Sequence, residues 1–327
     1  MKLLALHLHS IMEYARWKGV SFSVMTQLMQ HPPHDFFAEA AVVSEEDFYA
    51  VLEYVVKNND DDSLGIHLGK FLNLNALGLI YRISLQAATV EEALHYLQTY
   101  LNTTFPIIEI KTAVNETSAV IQLNINNNKS LLNRIILEYA LTVMSRELSM
   151  MTAEQAQIRL YSPYYQVDYP SPWNHDLSFS LDFTATILKA TLQDKSRLQL
   201  DILIPEYLKL LESLKAEQSF SNKVKIASLH MARPELPDLE MIADAFHLTP
   251  RTLQRRLGDE NVTFRQLTDD LKRQISALLI RHDRFSVSDI SYVLGYSEPA
   301  AFIHCFKKWH GDSPERVRKS FSGGWNK

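Results

Sequence analysis

The sequence is poor in cysteine and in glycine. Its 327 residues include one cysteine, Cys305, and nine glycines. A single cysteine excludes an internal disulfide and a zinc site built from several cysteines, and it fits a reducing cytoplasm. The phosphate-binding, dinucleotide-binding, metalloprotease and hydrolase motifs GxxxxGK[ST], GxGxxG, HExxH and GxSxG do not occur. We therefore predict no catalytic residue, no metal and no cofactor, and a protein that is not an enzyme.

Long apolar runs are also missing. Arg82 interrupts the most apolar stretch, LNALGLIYRISL, well short of the length that spans a membrane. The N-terminal MKLLALHLHS carries histidines inside its apolar run, and no small-residue cleavage site follows, so we do not expect a signal peptide. The sequence predicts a cytoplasmic protein without a membrane segment.

Charge is distributed unevenly along a chain whose net charge is −5. Residues 1–221 hold 16 Lys and Arg against 25 Asp and Glu, whereas residues 222–321 hold 16 against 13. A basic C-terminal third attached to an acidic remainder is typical of a protein in which one part binds a polyanion.

The first two thirds of the chain alternate helical and strand patterns. Ser44 and Thr89 each begin a helix with a capping hydroxyl followed by acidic residues, and Glu92 completes a capping box with Thr89. Residues 131–151 are apolar on nearly every face, which predicts a buried helix. Strands are expected at residues 107–111, 119–125, 158–161 and 179–183, the first two forming a hairpin.

The segment Leu239–Leu257 predicts a helix-turn-helix unit at about residues 238–258. Thr249 and Pro250 suit the N-cap and first position of the second helix. Leu253 and Leu257, at positions i and i+4, face the core, so the long donor side chains beside them turn outward. Arg pairs with guanine and Gln with adenine in the major groove, where such a helix binds. A surface helix whose arginines are merely solvated fits this segment equally well.

The same layout recurs at about residues 288–309. Ile290 corresponds to Ile242 and Ser297 to Thr249 at one constant spacing, and Phe306 corresponds to Leu257 with one residue inserted. The repeat favours DNA binding, because two such units on one scaffold fit successive turns of the major groove about 34 Å apart.

Two further features support this repeat. Gly295 lies where the sharp turn of the second copy needs a positive φ. Residues 264–281 predict one long helix between the copies. We therefore predict an α+β N-terminal domain, residues 1–215, followed by an all-α C-terminal domain, residues 220–321, with two helix-turn-helix units joined by a long helix.

The C-terminal domain resembles the AraC/XylS transcriptional regulators, in the segments IADAFHLTPRTLQRRL, SVSDISYVLGYSEPAAF and FKKWHGDSPERVR. The resemblance implies binding to a double-stranded DNA operator, contact with RNA polymerase as an activator, and a position at the nucleoid. By this resemblance, the first helix reads bases through positions that match Arg251, Gln254 and Arg255, and the second through Pro299, Ala300 and His304. The adjoining DNA-contacting residues are predicted to be Thr252, Arg256, Lys307 and Lys308.

The second set of readers departs from the family pattern. Pro299 and Ala300 offer no hydrogen-bond donor, and His304 stands where arginine is frequent. We therefore expect the second helix to contact thymine methyl groups and to hold phosphates through Lys307 and Lys308.

The N-terminal domain resembles the arabinose-binding-type regulatory domain of the same family in LGIHLGK, ALGLIY and ATVEEALHYL. The resemblance implies sensing of a small-molecule effector and formation of a homodimer, but it does not identify a sugar. Arg82 and Arg134 are weak candidates for binding an effector carboxylate, although Glu138, one helical turn away, offers Arg134 an ordinary ion pair.

Two alternatives remain at this stage. One is a dimeric DNA-binding regulator that takes no ligand. The other is an enzyme fused to a DNA-binding module, which would need a nucleophilic cysteine or a zinc cluster that residues 1–215 lack. The pairs His7/His9 and His31/His34 come with no clear third metal ligand, so we interpret them as surface or core histidines.

Overall fold

The computed structural model describes residues 1–36, 38, 41–71, 87–152, 157–166, 169–190, 210–211, 213–214, 219–232, 235–282 and 285–322. They belong to two compact units, Met1–Gln193 and Asp194–Lys327. The predicted boundary at residues 215–220 stays a prediction, because residues 191–209 and 215–218 lie outside the described ranges. Within those ranges, no helix is both long and apolar enough to cross a membrane.

The N-terminal unit mixes helices and strands, as its sequence patterns predict. Its helices are α1 (Ala5–Trp17), α2 (Phe22–Gln27), α3 (Glu45–Lys57), α4 (Leu64–Lys70), α5 (Val90–Thr104) and α6 (Ser130–Met151). Its strands are β1 (Lys2–Leu4), β2 (Val42–Ser44), β3 (Glu109–Val114), β4 (Ser118–Asn124), β5 (Arg159–Ser162), β6 (Trp173–His175) and β7 (Phe179–Thr184).

The strands form two sheets. β1 and β2 pair antiparallel, and the larger sheet has the order β3-β4-β7-β5-β6. The predicted hairpin is present, since β3 and β4 pair antiparallel from Glu109 opposite Asn124 to Val114 opposite Ala119. Among the described strands, only β5 and β6 pair in parallel. The predicted buried helix α6 packs against β4, β5 and β7, which explains why nearly every face of it is apolar.

Capping side chains start two of these helices. The Ser44 hydroxyl accepts a hydrogen bond from the Asp47 amide at 3.0 Å, and that of Thr89 accepts one from the Glu92 amide at 3.3 Å. The Glu92 carboxylate, however, accepts from the Ala88 amide at 2.7 Å instead of from Thr89. The helix start at Thr89 is therefore confirmed. The hydrogen bond that the Glu92 carboxylate accepts comes from the residue before Thr89 and not from Thr89 itself.

Helices α4 and α6 approach closely at two glycines. A Cβ atom added at Gly65 would lie 2.5 Å from the carbonyl oxygen of Ile135, and one added at Gly69 would lie 2.4 Å from Cβ of Thr142. These distances are well inside van der Waals contact, so no residue with a side chain fits at either position without displacing α6.

All the elements of secondary structure among the described residues of the C-terminal unit are helices, and turns connect them. Its helices are α7 (Phe220–His230), α8 (Leu239–Ala245), α9 (Pro250–Asp259), α10 (Phe264–Leu279), α11 (Val287–Val293), α12 (Pro299–His310) and α13 (Pro314–Ser322). The pairs α8–α9 and α11–α12 are the two helix-turn-helix units, and the long helix α10 joins them. The predicted fold class is confirmed.

Candidate nucleic-acid interface

The first unit presents α9 through local capping and two buried leucines. The Thr249 hydroxyl accepts from the Thr252 amide at 3.2 Å, and Pro250 occupies the first helical position, where no amide hydrogen is needed. Leu253 and Leu257 are completely buried. Because these leucines lie one helical turn apart and face the core, the opposite face of α9 is left to solvent.

The turn that leads into α9 is closed by backbone hydrogen bonds. The Leu248 amide donates to the Ala243 carbonyl at 2.9 Å, and the His247 amide donates to the Asp244 carbonyl at 2.9 Å. His247 has a φ of 52°, in the left-handed region. This is the pattern that ends one helix and redirects the chain within a few residues.

The second unit repeats this turn. The Tyr296 amide donates to the Ser291 carbonyl at 3.0 Å, and the Gly295 amide donates to the Tyr292 carbonyl at 2.9 Å. Gly295 has a φ of 75°, as its sequence position predicts. Each of these bonds joins the counterparts of two residues bonded in the first turn, so the repeat extends to the backbone hydrogen bonds.

The helices before the two turns also begin alike. The Asp238 carboxylate caps α8 by accepting from the Met241 amide at 2.8 Å. Ser286, its counterpart in the second unit, caps α11 by accepting from the Asp289 amide at 3.0 Å.

The helices after the turns do not begin alike. Helix α12 starts at Pro299, and its N-cap is Glu298, whose side chain makes no capping hydrogen bond. Ser297, which lies before that N-cap, is therefore not the structural equivalent of Thr249 in capping. As far as Tyr296, each residue of the second copy follows its counterpart in the first copy by the same number of residues. From the first residue of α12 onward, the separation is one residue larger. The inserted residue of the second copy therefore lies in its turn.

The predicted base-reading residues of α9 lie on its solvent face. Arg251, Gln254 and Arg255 are exposed. The nearest charged partner of Arg255 is Asp259, with 3.9 Å between Nη1 and Oδ2, and the arginine side chain remains 69% exposed. An exposed ion pair of this length contributes little, so Arg255 is able to exchange it for a nucleic-acid contact.

Thr252 and Arg256 hold different positions on the same helix. The Thr252 hydroxyl lies 2.9 Å from that of Thr249, beside the helix cap. The Arg256 guanidinium lies over the ring of Phe220, 5.6 Å from its centroid. The sequence predicts Arg256 as a DNA-contacting residue beside the base-reading positions but gives no sign of this aromatic partner, which comes from α7.

Glu260 is a further residue that sequence analysis misses. Its carboxylate accepts from the amides of Phe220 at 2.7 Å and Ser221 at 2.9 Å, at the N-terminus of α7. The hydrogen bonds from Ser221 and Phe220 hold the pKa of this carboxyl below its ordinary value despite opposing desolvation. Together with Arg256, Glu260 ties the start of α7 to the C-terminal end of α9.

Helix α12 exposes a different chemistry. Ala300, His304, Lys307 and Lys308 are exposed and Pro299 is half-buried, whereas Phe302 and Phe306 are completely buried. When α12 is aligned on α9 by their first prolines, Ala300 occupies the place of Arg251 and His304 the place of Arg255. The second helix thus offers a methyl group and an imidazole where the first offers two guanidinium groups.

Of the two candidate effector-binding arginines, only Arg134 lies among the residues that the structure describes. Arg82 lies outside the described residues. Arg134 makes the expected ion pair, with 3.0 Å between Nε and Oε1 of Glu138, and it also donates to the Tyr169 hydroxyl and, at 3.1 Å, to the Asp62 carbonyl. Burial raises the pKa of the Glu138 carboxyl, although hydrogen bonds and the charge of Arg134 oppose that shift.

Comparisons with known families cover both units. Residues 19–195 match the family described as "Arabinose-binding domain of AraC transcription regulator, N-term". Residues 242–320 match the family described as "Helix-turn-helix domain".

The chain is also similar to individual transcription regulators. The chain is 25% identical over 301 residues to the HTH-type transcriptional regulator VirS of Mycobacterium tuberculosis, covering 88% of this chain and 87% of VirS. It is 38% identical over 87 residues to the HTH-type transcriptional regulator VqsM of Pseudomonas aeruginosa, covering 27% of each chain. The crystal structure of the transcriptional regulator CdpR from Pseudomonas aeruginosa is 18% identical, covers 96% of this chain and 98% of that one, and aligns with a TM-score of 0.41.

Proposed function

This chain belongs to the AraC family of transcription regulators, and from that premise we propose that it binds one operator sequence in double-stranded DNA under the control of a small-molecule effector. The observation that carries the proposal is the repeated turn. Two helices, α9 and α12, follow turns with the same hydrogen bonds, and each buries one face on the core while leaving polar side chains on the other.

We assign most of the base reading to α9. Arg251 and Arg255 carry the bidentate donors that fit the O6 and N7 atoms of guanine, and Gln254 carries the donor and acceptor that fit adenine. Arg251 lies in the first turn of α9, and Gln254 and Arg255 lie in the second. The N-terminal part of the second helix is the part that enters the major groove in helix-turn-helix proteins. Thr252 lies beside the cap, within reach of the DNA backbone.

We assign mainly backbone contacts to α12. Lys307 and Lys308 supply point charges that suit phosphates, and phosphate contacts fix the position of a protein on DNA without reading sequence. Pro299 and Ala300 present apolar surface suited to thymine methyl groups, and His304 supplies the one imidazole donor among these readers. The two helices would then contribute unequally to specificity.

The N-terminal unit supplies effector sensing and dimerisation in this proposal. Support comes from its match to the arabinose-binding-type domain, which says nothing of the ligand's identity. The protein would act as an activator through contact with RNA polymerase, in the cytoplasm at the nucleoid, where its operator lies. Sedimentation of the full-length protein, free and with DNA, tests the homodimer. A regulator that dimerises without a ligand is the alternative.

The direct test is selection of operator sequences from random duplex DNA with the full-length protein, followed by binding measured over a range of salt. We expect one enriched sequence and a log–log salt slope of about −0.9 for each of about six to ten phosphate contacts. The variant Arg251→Ala/Arg255→Ala should lose the preference. Lys57→Ala, an exposed charge in the N-terminal unit, is the control.

Two outcomes would contradict the proposal. One is a folded protein that shows no affinity for any duplex at low salt. The other is binding whose sequence preference survives in the double variant, because α9 would then not be the reading helix.

A further inference from the structure

A small cavity lies inside the N-terminal unit between α1, α5 and α6. Its volume is about 50 Å³. It is lined by His7, Leu97, Leu101, Phe105, Ile108, Tyr139, Ala140, Val143, Met144 and Glu147. A site of this volume has room for about four water-sized groups, and its wall is apolar except at three side chains. The polar side chains therefore decide what the cavity accepts.

Glu147 is the unusual member of the wall. Its side chain is buried, with the residue 2% exposed, and neither carboxylate oxygen has a hydrogen-bond partner among the described residues. A buried carboxylate without donors is costly, because it has lost water and gained nothing in return. Burial raises the pKa of Glu147 to about 8, and the charge of the adjacent Arg146 offsets only part of that effect.

His7, which lines the cavity from α1, is a second polar side chain of the wall. Its Nε2 lies 3.0 Å from the Thr104 hydroxyl, and that hydroxyl donates its only hydrogen to the Tyr100 carbonyl at 2.8 Å. His7 must therefore donate from Nε2, which leaves a lone pair on Nδ1. Burial lowers the pKa of His7 to about 4, so the imidazole is neutral and brings no positive charge to the cavity.

Tyr139 completes the polar wall without adding a charge. Burial raises the pKa of its hydroxyl to about 12, and Ser10 on α1 is its hydrogen-bond partner. The α5 side of the cavity contributes Leu97 and Leu101, neither of which titrates. At neutral pH the empty cavity therefore holds Glu147 mainly as the protonated acid. Once a cation displaces that proton, the wall presents two carboxylate oxygens against an apolar background, with no cation among the described residues that line it.

We propose that this cavity is the effector site and that it takes a small alkyl amine as the ammonium ion. Binding of the ammonium ion releases the Glu147 proton to solvent, the ammonium group donates to the two carboxylate oxygens, and a chain of about three carbons lies against Leu97, Phe105 and Val143. The assignment rests on the proposed effector control of DNA binding. Its geometric basis is the pair of unpartnered buried oxygens of Glu147, which an ammonium group satisfies with several donors at once.

Other ligand classes fit less well. A carboxylate ligand would add a second acceptor to a wall whose described residues supply no cationic donor. A sugar would bring several hydroxyl groups into a lining that is mostly aliphatic and aromatic, where unmatched polar groups are costly. An alcohol offers a single donor to the two oxygens of ionised Glu147 and brings no positive charge to offset the carboxylate.

The test compares three probes with the same carbon chain on the full-length protein. These are n-propylamine, n-propanol and propionate, at millimolar concentrations and neutral pH, followed by saturation-transfer NMR and by thermal unfolding. We expect n-propylamine to bind about tenfold or more tightly than n-propanol and to raise the unfolding temperature, and propionate not to bind. The comparison on the unaltered protein stands even if a variant fails to fold.

Variants then locate the site. Glu147→Gln keeps the shape of the side chain and removes its charge, so the preference for the amine over the alcohol should fall to about equal affinity. Glu116→Gln, in the exposed turn of the β3–β4 hairpin, is the matched control and should leave the preference unchanged. An unchanged preference in Glu147→Gln, tightest binding of propionate, or binding of no probe would overturn the proposal.

Operator binding, measured in parallel, separates this inference from the proposed function. If specific DNA binding is present and no probe binds, the cavity assignment fails and the DNA-binding assignment stands. If n-propylamine binds through Glu147 but changes operator affinity by less than about twofold, the cavity is an amine site that is not the effector site, and that part of the proposal is overturned.

Discussion

His247 and Gly295 occupy the same place in the two helix-turn-helix units, and both have a positive φ, of 52° and 75°. Each follows the first helix of its unit. The amide of the next residue, Leu248 or Tyr296, donates to the carbonyl of Ala243 or Ser291 in that helix. The left-handed conformation is thus required by the turn in both units, although glycine fills it in only one.

Replacing Gly295 by alanine should destabilise the C-terminal unit by about 1–2 kcal/mol, the usual cost of a left-handed residue with a side chain. The nearest atom to an added Cβ is 3.6 Å away on the Glu235 side chain, so the cost comes from the backbone. Calorimetry of the full-length protein measures it. Gly258→Ala, in the exposed part of α9 with open space around the new Cβ, should stabilise by about 0.5–1 kcal/mol. Equal effects of the two changes would contradict this account.

Arg255→Ala should weaken operator binding by about 1–3 kcal/mol and relax the preference at one base pair. Arg256→Ala should weaken binding evenly across sequences, and His304→Ala should cost less than Arg255→Ala, because α12 is poor in donors. A panel of single-base operator variants measures all three.

Phe220→Leu is the control for Arg256, because it removes the aromatic partner and retains the charge. If Phe220→Leu weakens DNA binding as much as Arg256→Ala does, the role of Arg256 is structural. If Arg255→Ala leaves the preference profile intact while His304→Ala flattens it, α12 is the main reader and the assignment of the helices is reversed.

Glu260→Gln should destabilise the C-terminal unit at neutral pH, because the carboxylate accepts the two amides that begin α7. The folded-state pKa of Glu260 is lowered, so its stabilisation is present above the ordinary pKa of 4.5 and is lost as pH falls through the folded value. The wild type should therefore exceed Glu260→Gln in free energy of unfolding by a smaller amount below about pH 4.5. Denaturant unfolding as a function of pH measures it, and an advantage that grows in acid would contradict the assignment.

Glu147 should give the opposite pH dependence in the N-terminal unit. Its pKa is raised from 4.5 to about 8, so the stability it contributes is complete below pH 4.5 and is lost as pH rises through 8. As pH rises across that window, the free energy of unfolding of Glu147→Gln should increase relative to that of the wild type, by at most about 1.4 kcal/mol per pH unit. Thermal unfolding from pH 5 to 9 measures it, with Glu116→Gln as the control. A constant difference between the two proteins would show that Glu147 does not titrate there.

Gly69→Ala should destabilise the N-terminal unit by about 1–3 kcal/mol or more, the range for overpacking a close contact. The new Cβ would lie 2.4 Å from Cβ of Thr142 and 3.0 Å from the Tyr139 carbonyl oxygen, so α4 and α6 would have to separate. Urea unfolding followed by tryptophan fluorescence measures it. Gly258→Ala is the matched glycine control, and a neutral result at Gly69 would contradict the close packing.

Much of the DNA-binding unit follows from sequence because its determinants are local. Thr249 caps a helix through the amide of Thr252, and the turns at His247 and Gly295 close through bonds within a short segment of chain. Hydrogen bonds of this kind join residues that are close in sequence, so a short segment determines them. For this reason the two helix-turn-helix units and the long helix between them could be predicted, and the structure confirms them. The same holds for the helix that begins after Ser44.

The remaining features depend on packing between distant segments. The N-terminal sequence shows His7 as one half of a histidine pair and Glu147 as one acid in an apolar helix; only the packing of α1 against α6 places them in one cavity. Arg256 meets Phe220, which is remote from it in sequence, through the contact of α9 with α7. The sequence by itself determined the helix starts, the repeated turns and the outward face of α9, because each rests on bonds within a few residues. Tertiary structure decided the acceptors in the cavity, the partner of Arg256 and the closeness of α4 to α6, because burial and distance between remote side chains exist only once the helices pack.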